Sequence, residues 1–152
     1  GVEYNELDDV LSESNIVSLH CPLTPETHHI INAQTLSKMK KGAMLINTSR
    51  GKLVDTSAVI DALKTEQLGS LAIDVYEEEE KLFFRDLSEK IIRDDQISRL
   101  MIFHNVLITA HQGFFTQESL NEIMLTTLKN FDDFERGIQS SNEVSCELIK
   151  DC

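Results

Sequence analysis

The stretch "INTSRGKLVD" at Ile46–Asp55 follows directly on "GAML" at 42–45. Ala43–Asn47 is a short, nearly unbroken apolar run, bounded by Gly42 on one side and a polar turn on the other. That is the pattern of a strand buried inside a parallel sheet. Three residues beyond its end stands Arg50, a cation held between Ser49 and Gly51. A buried strand that ends on a fixed charge needs an explanation, and the sequence on either side bears on it.

Working outward, three more runs read as strands: "NIVSLH" (15–20), "GSLAIDVY" (69–76) and "NVLITA" (105–110). Helices alternate with them. Asn32 caps a short helix through about Met39, and Gly42 marks its stop. Asp55 or Thr56 caps "SAVIDALKTE", with Val59, Ile60 and Leu63 on one face. A long helix runs from about Thr116 to Arg136, with Leu120, Ile123, Met124, Thr127, Leu128, Phe131 and Phe134 at helical spacing and Gly137 past its end. "CPLTPET" (21–27) contains both prolines of the chain and is a loop. The polar stretch "EEEEKLFFRDLSEKIIRDDQISRL" (77–100) is expected to be irregular, with helical turns. Short apolar strands alternating with amphipathic helices predict an α/β fold, a parallel sheet covered on both faces.

The totals narrow the function classes. The chain has 152 residues, 41% of them apolar, enough for a globular core. Its charge is 14 − 26 = −12, which disfavours phosphate backbones and anionic membranes as partners. The block Glu77–Glu80 reads as a solvated face unless something selects one member of it. Cys21, Cys146 and Cys152 are odd in number and widely spaced, so neither a disulfide framework nor a metal site is expected. No signal-peptide pattern opens the chain and no apolar run reaches membrane-span length, and a reducing, cytoplasmic setting is expected.

In an open parallel sheet, ligands bind beyond the carboxyl ends of the strands. Past the first strand come His20, Cys21 and Pro22; past the second, Thr48, Ser49 and Arg50. The third ends with Asp74 and leads into the acidic run containing Glu79, and His111 follows the fourth. An arginine on a rigid turn grips a carboxylate with two parallel hydrogen bonds. A histidine exchanges a proton near neutral pH, and a carboxylate beside it fixes its tautomer and favours the imidazolium. The set suits an acid with an adjacent carbonyl, and a hydride for that carbonyl must come from a cofactor. His28, His29, His104, Cys146 and Cys152 have no such constellation in the sequence and are read as surface or loop residues, and Phe83–Phe84 as packing.

The runs "SLHCPLTPETHHIIN", "INTSRGKLVD", "AIDVYEEE" and "NVLITAHQGFFT", in this order, resemble the D-isomer-specific 2-hydroxyacid dehydrogenases. Within that family the insertion "KLFFRDLSEKIIRDDQISRL" and the run "HQGFFT" resemble the bacterial fermentative D-lactate dehydrogenases. The resemblance covers about Val2 to Val144. It implies a Rossmann-like sheet that binds NAD, catalysis by Arg50, Glu79 and His111, and reversible reduction of pyruvate to D-lactate. It places cofactor contacts on Cys21, Pro22, Thr27, Thr48, Ser49 and Asp74, and substrate contacts on Arg50, His111 and Phe114. Thr27 stands where lactate-type relatives often carry asparagine. Arg50 would meet the substrate carboxylate, and Gly51 is expected to let the backbone turn sharply past it.

The six glycines offer no GxGxxG turn, the element on which the family holds the cofactor's pyrophosphate. The resemblance therefore implies the second half of an NAD-binding domain plus its C-terminal return helix over 1–139, and a flexible tail over 140–152. It implies a homo-oligomeric parent enzyme, and an isolated chain that is inactive. Relatives acting on hydroxypyruvate, glyoxylate or phosphoglycerate share the same three residues. A non-catalytic NAD-sensing module and a truncated product without function are the alternatives to an enzyme.

Overall fold

The computed structural model describes residues 1–82 and 92–144; Phe83–Phe84, Cys146 and Cys152 lie outside the described residues. The elements run α1 (Leu7–Glu13), β1 (Ile16–Leu19), α2 (Ala33–Lys38), β2 (Ala43–Asn47), α3 (Thr56–Lys64), β3 (Leu68–Ile73), α4 (Asp95–Ile102), β4 (Val106–Ile108) and α5 (Gln117–Glu135). Short 3-10 turns cover Gly51–Leu53 and Glu79–Lys81. The chain divides into two compact units, the first ending at Gly113 and the second beginning at Phe114.

The four strands are all parallel, in the order β1-β2-β3-β4. Register aligns Val17, Leu45, Leu71 and Val106 in one row, and Leu19, Asn47, Ile73 and Ile108 in the next. These rows share a face, because side chains alternate along a strand. In the three strands β1 to β3 that face is buried, and Leu11, Leu36, Met39, Val59, Ile60, Leu63, Ile97 and Leu100 from α1 to α4 complete its core. Each fully buried leucine of this set contributes about 2 kcal/mol in transfer free energy.

The alternate positions along the strands form the other face of the sheet. Ile16, Ser18 and Leu107 are exposed, and Met44, Ile46, Ser70 and Ala72 are half-buried. In the first unit the helices pack against one another in series, α1 on α2, α2 on α3 and α3 on α4.

Local chemistry sets the helix ends. Asn32 accepts from the backbone N–H groups of Gln34 and Thr35, and Thr35 reaches back to the Asn32 N–H, a full capping box. Asp55 caps α3 through Ala58 N–H, Asp94 caps α4 through Gln96 and Ile97, and Thr116 caps α5 through Ser119. Helix α1 has no such side-chain cap, and the sequence reading contains no helix there. Helix α2 ends at Lys38, before Gly42, which instead turns with a φ of 82° just ahead of β2. Strands β3 and β4 are shorter than expected, because Asp74 and Thr109 already belong to the turns beyond them.

In the second unit α5 carries the expected apolar stripe, with Leu120, Met124, Leu128 and Phe131 all exposed. Past its end, Ser140 and Asn142 fold back and hydrogen-bond the Asn130 side chain. Among the described residues no helix is long and apolar enough to cross a membrane.

Candidate active site at the carboxyl edge of the sheet

The turn after β2 is built from inside. Asn47 is 1% exposed, its amide N–H donates to the Arg50 carbonyl at 2.9 Å, and its Oδ1 accepts from Ser49 N–H at 3.1 Å. The Asn47 carbonyl also accepts from Asp74 N–H, so the tips of β2 and β3 are tied together. A buried amide that satisfies both ends of a three-residue turn leaves the turn little freedom. Arg50 stands exposed at its apex and donates through Nη1 to the Ser49 carbonyl. Ser49 Oγ donates to the Cys21 carbonyl at 2.7 Å, which joins the tip of β1 to the same turn.

Gly51 has another reason to be glycine than the sharp turn expected from the sequence. Its backbone is not left-handed. A Cβ at this position would lie 2.1 Å from the Tyr76 carbonyl carbon and oxygen and 2.6 Å from Glu77 N. The segment after β3 therefore lies directly against the segment after β2, with no room for a side chain between them.

That contact brings the acidic run to Arg50. Arg50, Leu23, Lys52, Tyr76, Glu77 and Glu79 line one cleft of about 130 Å³. Glu79 turns inward: its Oε2 accepts from Tyr76 N–H at 3.0 Å and lies 3.4 Å from His111 Nδ1. Tyr76 is buried, and its hydroxyl donates to both oxygens of Asp94, the cap of α4. Burial and the neighbouring Asp94 carboxylate push the Tyr76 phenol well above its ordinary range, so it stays a neutral donor.

His111 is placed by β3 rather than by its own strand. Its N–H donates to the Asp74 carbonyl. The Asp74 carboxylate accepts from Thr109 Oγ1 and from the N–H groups of Gln112 at 2.9 Å and Gly113 at 3.2 Å. Burial pushes the Asp74 carboxyl up, but these hydrogen bonds and the His111 charge outweigh it and hold the group below its usual range. Ala110 and His111 both adopt left-handed backbone, at φ 55° and 57°.

The remaining sequence-predicted residues fall as follows. Pro22 and Thr48 are exposed at the same edge, and Cys21 is half-buried with a free thiol. The Thr27 hydroxyl is engaged within its own loop, donating to the Pro22 carbonyl at 2.7 Å and accepting from Thr24 N–H at 2.8 Å. Phe114 belongs to the second unit, where it is half exposed and meets Phe115 edge-on. His104 is exposed, as expected. His29 is not the isolated loop residue that the sequence reading makes it: its Nε2 lies 2.7 Å from Glu77 Oε1. Its partner is 48 positions away, so no local pattern announces the pair. Asn47 was also missed as a site residue; a polar side chain closing a buried strand was the available signal. Among the described residues, no cluster of His, Cys, Asp or Glu has the makings of a metal site.

Residues 1–113 match the family described as D-isomer specific 2-hydroxyacid dehydrogenase, NAD binding domain. The chain belongs to this family. It is 56% identical over 140 residues to the D-lactate dehydrogenase kk1H of Curvularia clavata, covering 92% of this chain and 40% of that protein. It is 51% identical over 144 residues to the D-lactate dehydrogenase of Escherichia coli K12, covering 95% of this chain and 44% of the relative. Among solved structures, the pyruvate reductase of Chlamydomonas reinhardtii superposes with a TM-score of 0.85 at 44% identity, over 91% of this chain and 43% of the other. The chain thus spans about two fifths of the length of the curated relatives it matches.

The family domain is an NAD-binding one, and the carboxyl edge has groups that fit such a cofactor. Both lone pairs of Asp74 Oδ1 are occupied, by Thr109 and Gln112, whereas among the described residues Oδ2 accepts only from Gly113. One acceptor position on Oδ2 remains to meet an amide N–H. Thr48 adds an exposed hydroxyl at the neighbouring tip, and Pro22 an apolar surface.

Proposed function

We propose that this chain supplies the acid–base and cofactor-facing portion of an NAD-dependent D-2-hydroxyacid dehydrogenase that reduces pyruvate reversibly to D-lactate. One observation carries the reading: Glu79, out of four consecutive glutamates, is within 3.4 Å of His111 Nδ1 and shares a cleft with Arg50.

Arg50 grips the carboxylate of the 2-oxo acid and polarises the neighbouring carbonyl oxygen. When bound, NADH supplies the hydride that C2 accepts. His111 delivers a proton to the carbonyl oxygen from Nε2, while Glu79 at Nδ1 holds the ring in the orientation and charge state the transfer needs. Asp74, through its spare Oδ2 position, would hold the nicotinamide carboxamide. Pro22 and Cys21 would flank the adenosine and Thr48 and Ser49 would meet the cofactor from the strand-end turn, with Thr27 bracing the loop that carries Pro22. In the reverse direction the same histidine takes the hydroxyl proton of D-lactate.

The identity to proteins named D-lactate dehydrogenase supports pyruvate over hydroxypyruvate or glyoxylate, which need the same three residues. The test is NADH oxidation by the whole protein with each of these acids. Pyruvate is expected to give the highest kcat/KM, and His111→Gln to lower kcat by about 10²–10⁴. An unchanged rate in that variant removes the assignment.

A further inference from the structure

The His29–Glu77 pair stands beside the proposed catalytic cleft and has no part in the chemistry just described. Glu77 uses both oxygens. Oε1 meets His29 Nε2 at 2.7 Å, while Oε2 accepts from the Thr56 hydroxyl at 2.9 Å and from Thr56 N–H at 3.3 Å. Thr56 is the first residue of α3, where the helix dipole favours a carboxylate. The pair is partly shielded, with the two side chains 31% and 21% exposed.

His29 is itself fixed from several directions. Its N–H donates to the Lys52 carbonyl at 2.9 Å, and its own carbonyl accepts from the Asn32 side chain at 2.9 Å. Its ring stacks on His28 at 4.0 Å between centroids. Its backbone is left-handed, at φ 51°, a conformation that costs a non-glycine residue about 1 kcal/mol and persists only where the surroundings enforce it. One carboxylate thereby joins three segments: the loop before α2, the Gly51–Thr56 segment, and the turn after β3. Arg50 immediately precedes the second of these, and Glu79 lies on the third.

We propose that His29, acting through Glu77, is a positioning residue that fixes the distance between Arg50 and Glu79 across the cleft. The proposal rests on the reading of those two residues as catalytic. Removing the imidazole frees Glu77 to leave Thr56. The Tyr76–Glu77 peptide, packed on Gly51, is then no longer held at both ends, and the Tyr76 N–H to Glu79 bond loosens with it.

The test has two arms. In this chain, amide hydrogen exchange is compared for the native protein, His29→Ala and His29→Gln. Alanine is expected to speed exchange at Thr56 and Tyr76 by about tenfold while leaving Leu45 and Leu71 in the sheet unchanged; glutamine, which keeps a donor at similar reach, restores protection. Unchanged rates at Thr56 and Tyr76, or equal acceleration throughout the sheet, overturn the proposal. Should His29→Ala not fold, Glu77→Gln gives the same reading, with Thr56 and Tyr76 as reporters. In the whole protein, His29→Ala is expected to raise KM for the 2-oxo acid about tenfold and to lower kcat with it, since both Arg50 and Glu79 lose their fixed spacing, and His29→Gln to recover both. A native KM in the alanine variant sinks the positioning role. If the native protein reduces no 2-oxo acid, the catalytic reading fails and the exchange arm still decides whether the clamp exists.

Discussion

At the tip of β2, Arg50 stands on a turn held from within by the neutral, buried amide of Asn47, with no left-handed residue in it. At the tip of β4, His111 stands on a turn held from the neighbouring strand by the half-exposed carboxylate of Asp74, with two consecutive left-handed residues. One support is local, uncharged and relaxed; the other is non-local, ionised and strained. The first therefore depends on packing and the second on protonation and backbone strain. The arrangement suits the proposed roles, since a carboxylate grip benefits from rigidity whereas a proton donor must respond to its electrostatic surroundings.

The packing side of the comparison gives the largest expected effect. In Gly51→Ala the new methyl group meets Tyr76 and Glu77 backbone at 2.1 and 2.6 Å, and backbone cannot rotate away as a side chain can. The substitution is expected to cost about 3 kcal/mol, at the upper end for overpacking. Urea unfolding measures it, and a midpoint close to the native one would mean that the two segments are not in contact.

Asn47→Ala comes next. It removes the donor to Arg50 and the acceptor for Ser49 from a site that is 1% exposed. Loss of two buried hydrogen bonds and their packing is expected to cost about 2 kcal/mol. The cost is expected to be flat between neutral and acid pH, because nothing in this turn's support titrates.

Asp74→Asn breaks the symmetry of that result. The folded-state carboxyl of Asp74 lies below its unfolded value, so its contribution to stability is present above the ordinary aspartate range and is lost as pH falls through the lowered folded value. The stability gap between native protein and variant is therefore expected to be widest at neutral pH and to close in acid. Paired unfolding curves at the two pH values read it directly. A gap that stays constant would show that the charge of Asp74 does not hold the His111 turn.

The sequence reading reached the strands because their apolar runs are short, β-branched and bounded by turn residues, and parallel order follows from the alternation with helices. It also singled out Glu79 from its neighbours by resemblance, where composition alone makes all four glutamates equivalent. What it could not reach is long-range or backbone-determined. Helix α1 has no side-chain cap, and of its apolar residues only Leu11 is buried, too little periodicity to register. His29 looks like an isolated loop residue because Glu77 is distant in sequence. Gly51 suggests a turn, whereas the segment that excludes its side chain lies 25 residues on, at Tyr76.

The smallest effect has the opposite sign and tests the strain at the β4 tip. Ala110 holds φ 55° without a side chain that hydrogen-bonds to compensate, in a region where an L-residue with a Cβ is penalised by about 1–2 kcal/mol. Glycine relieves that penalty but loses more conformational entropy on folding, roughly 0.5–1 kcal/mol against alanine. The balance for Ala110→Gly is a gain of about 0.5 kcal/mol. His111 next to it does not offer the same experiment, because its replacement removes the proposed acid. If Ala110→Gly stabilises the chain while lowering kcat in the whole protein, the left-handed pair serves to aim the imidazole, and the strain at this tip contributes to function. If it stabilises and leaves kcat intact, the Asp74 hydrogen bonds alone suffice to hold the ring in place. A loss of stability would mean that the turn is relaxed, and the contrast with the Arg50 tip would reduce to charge alone.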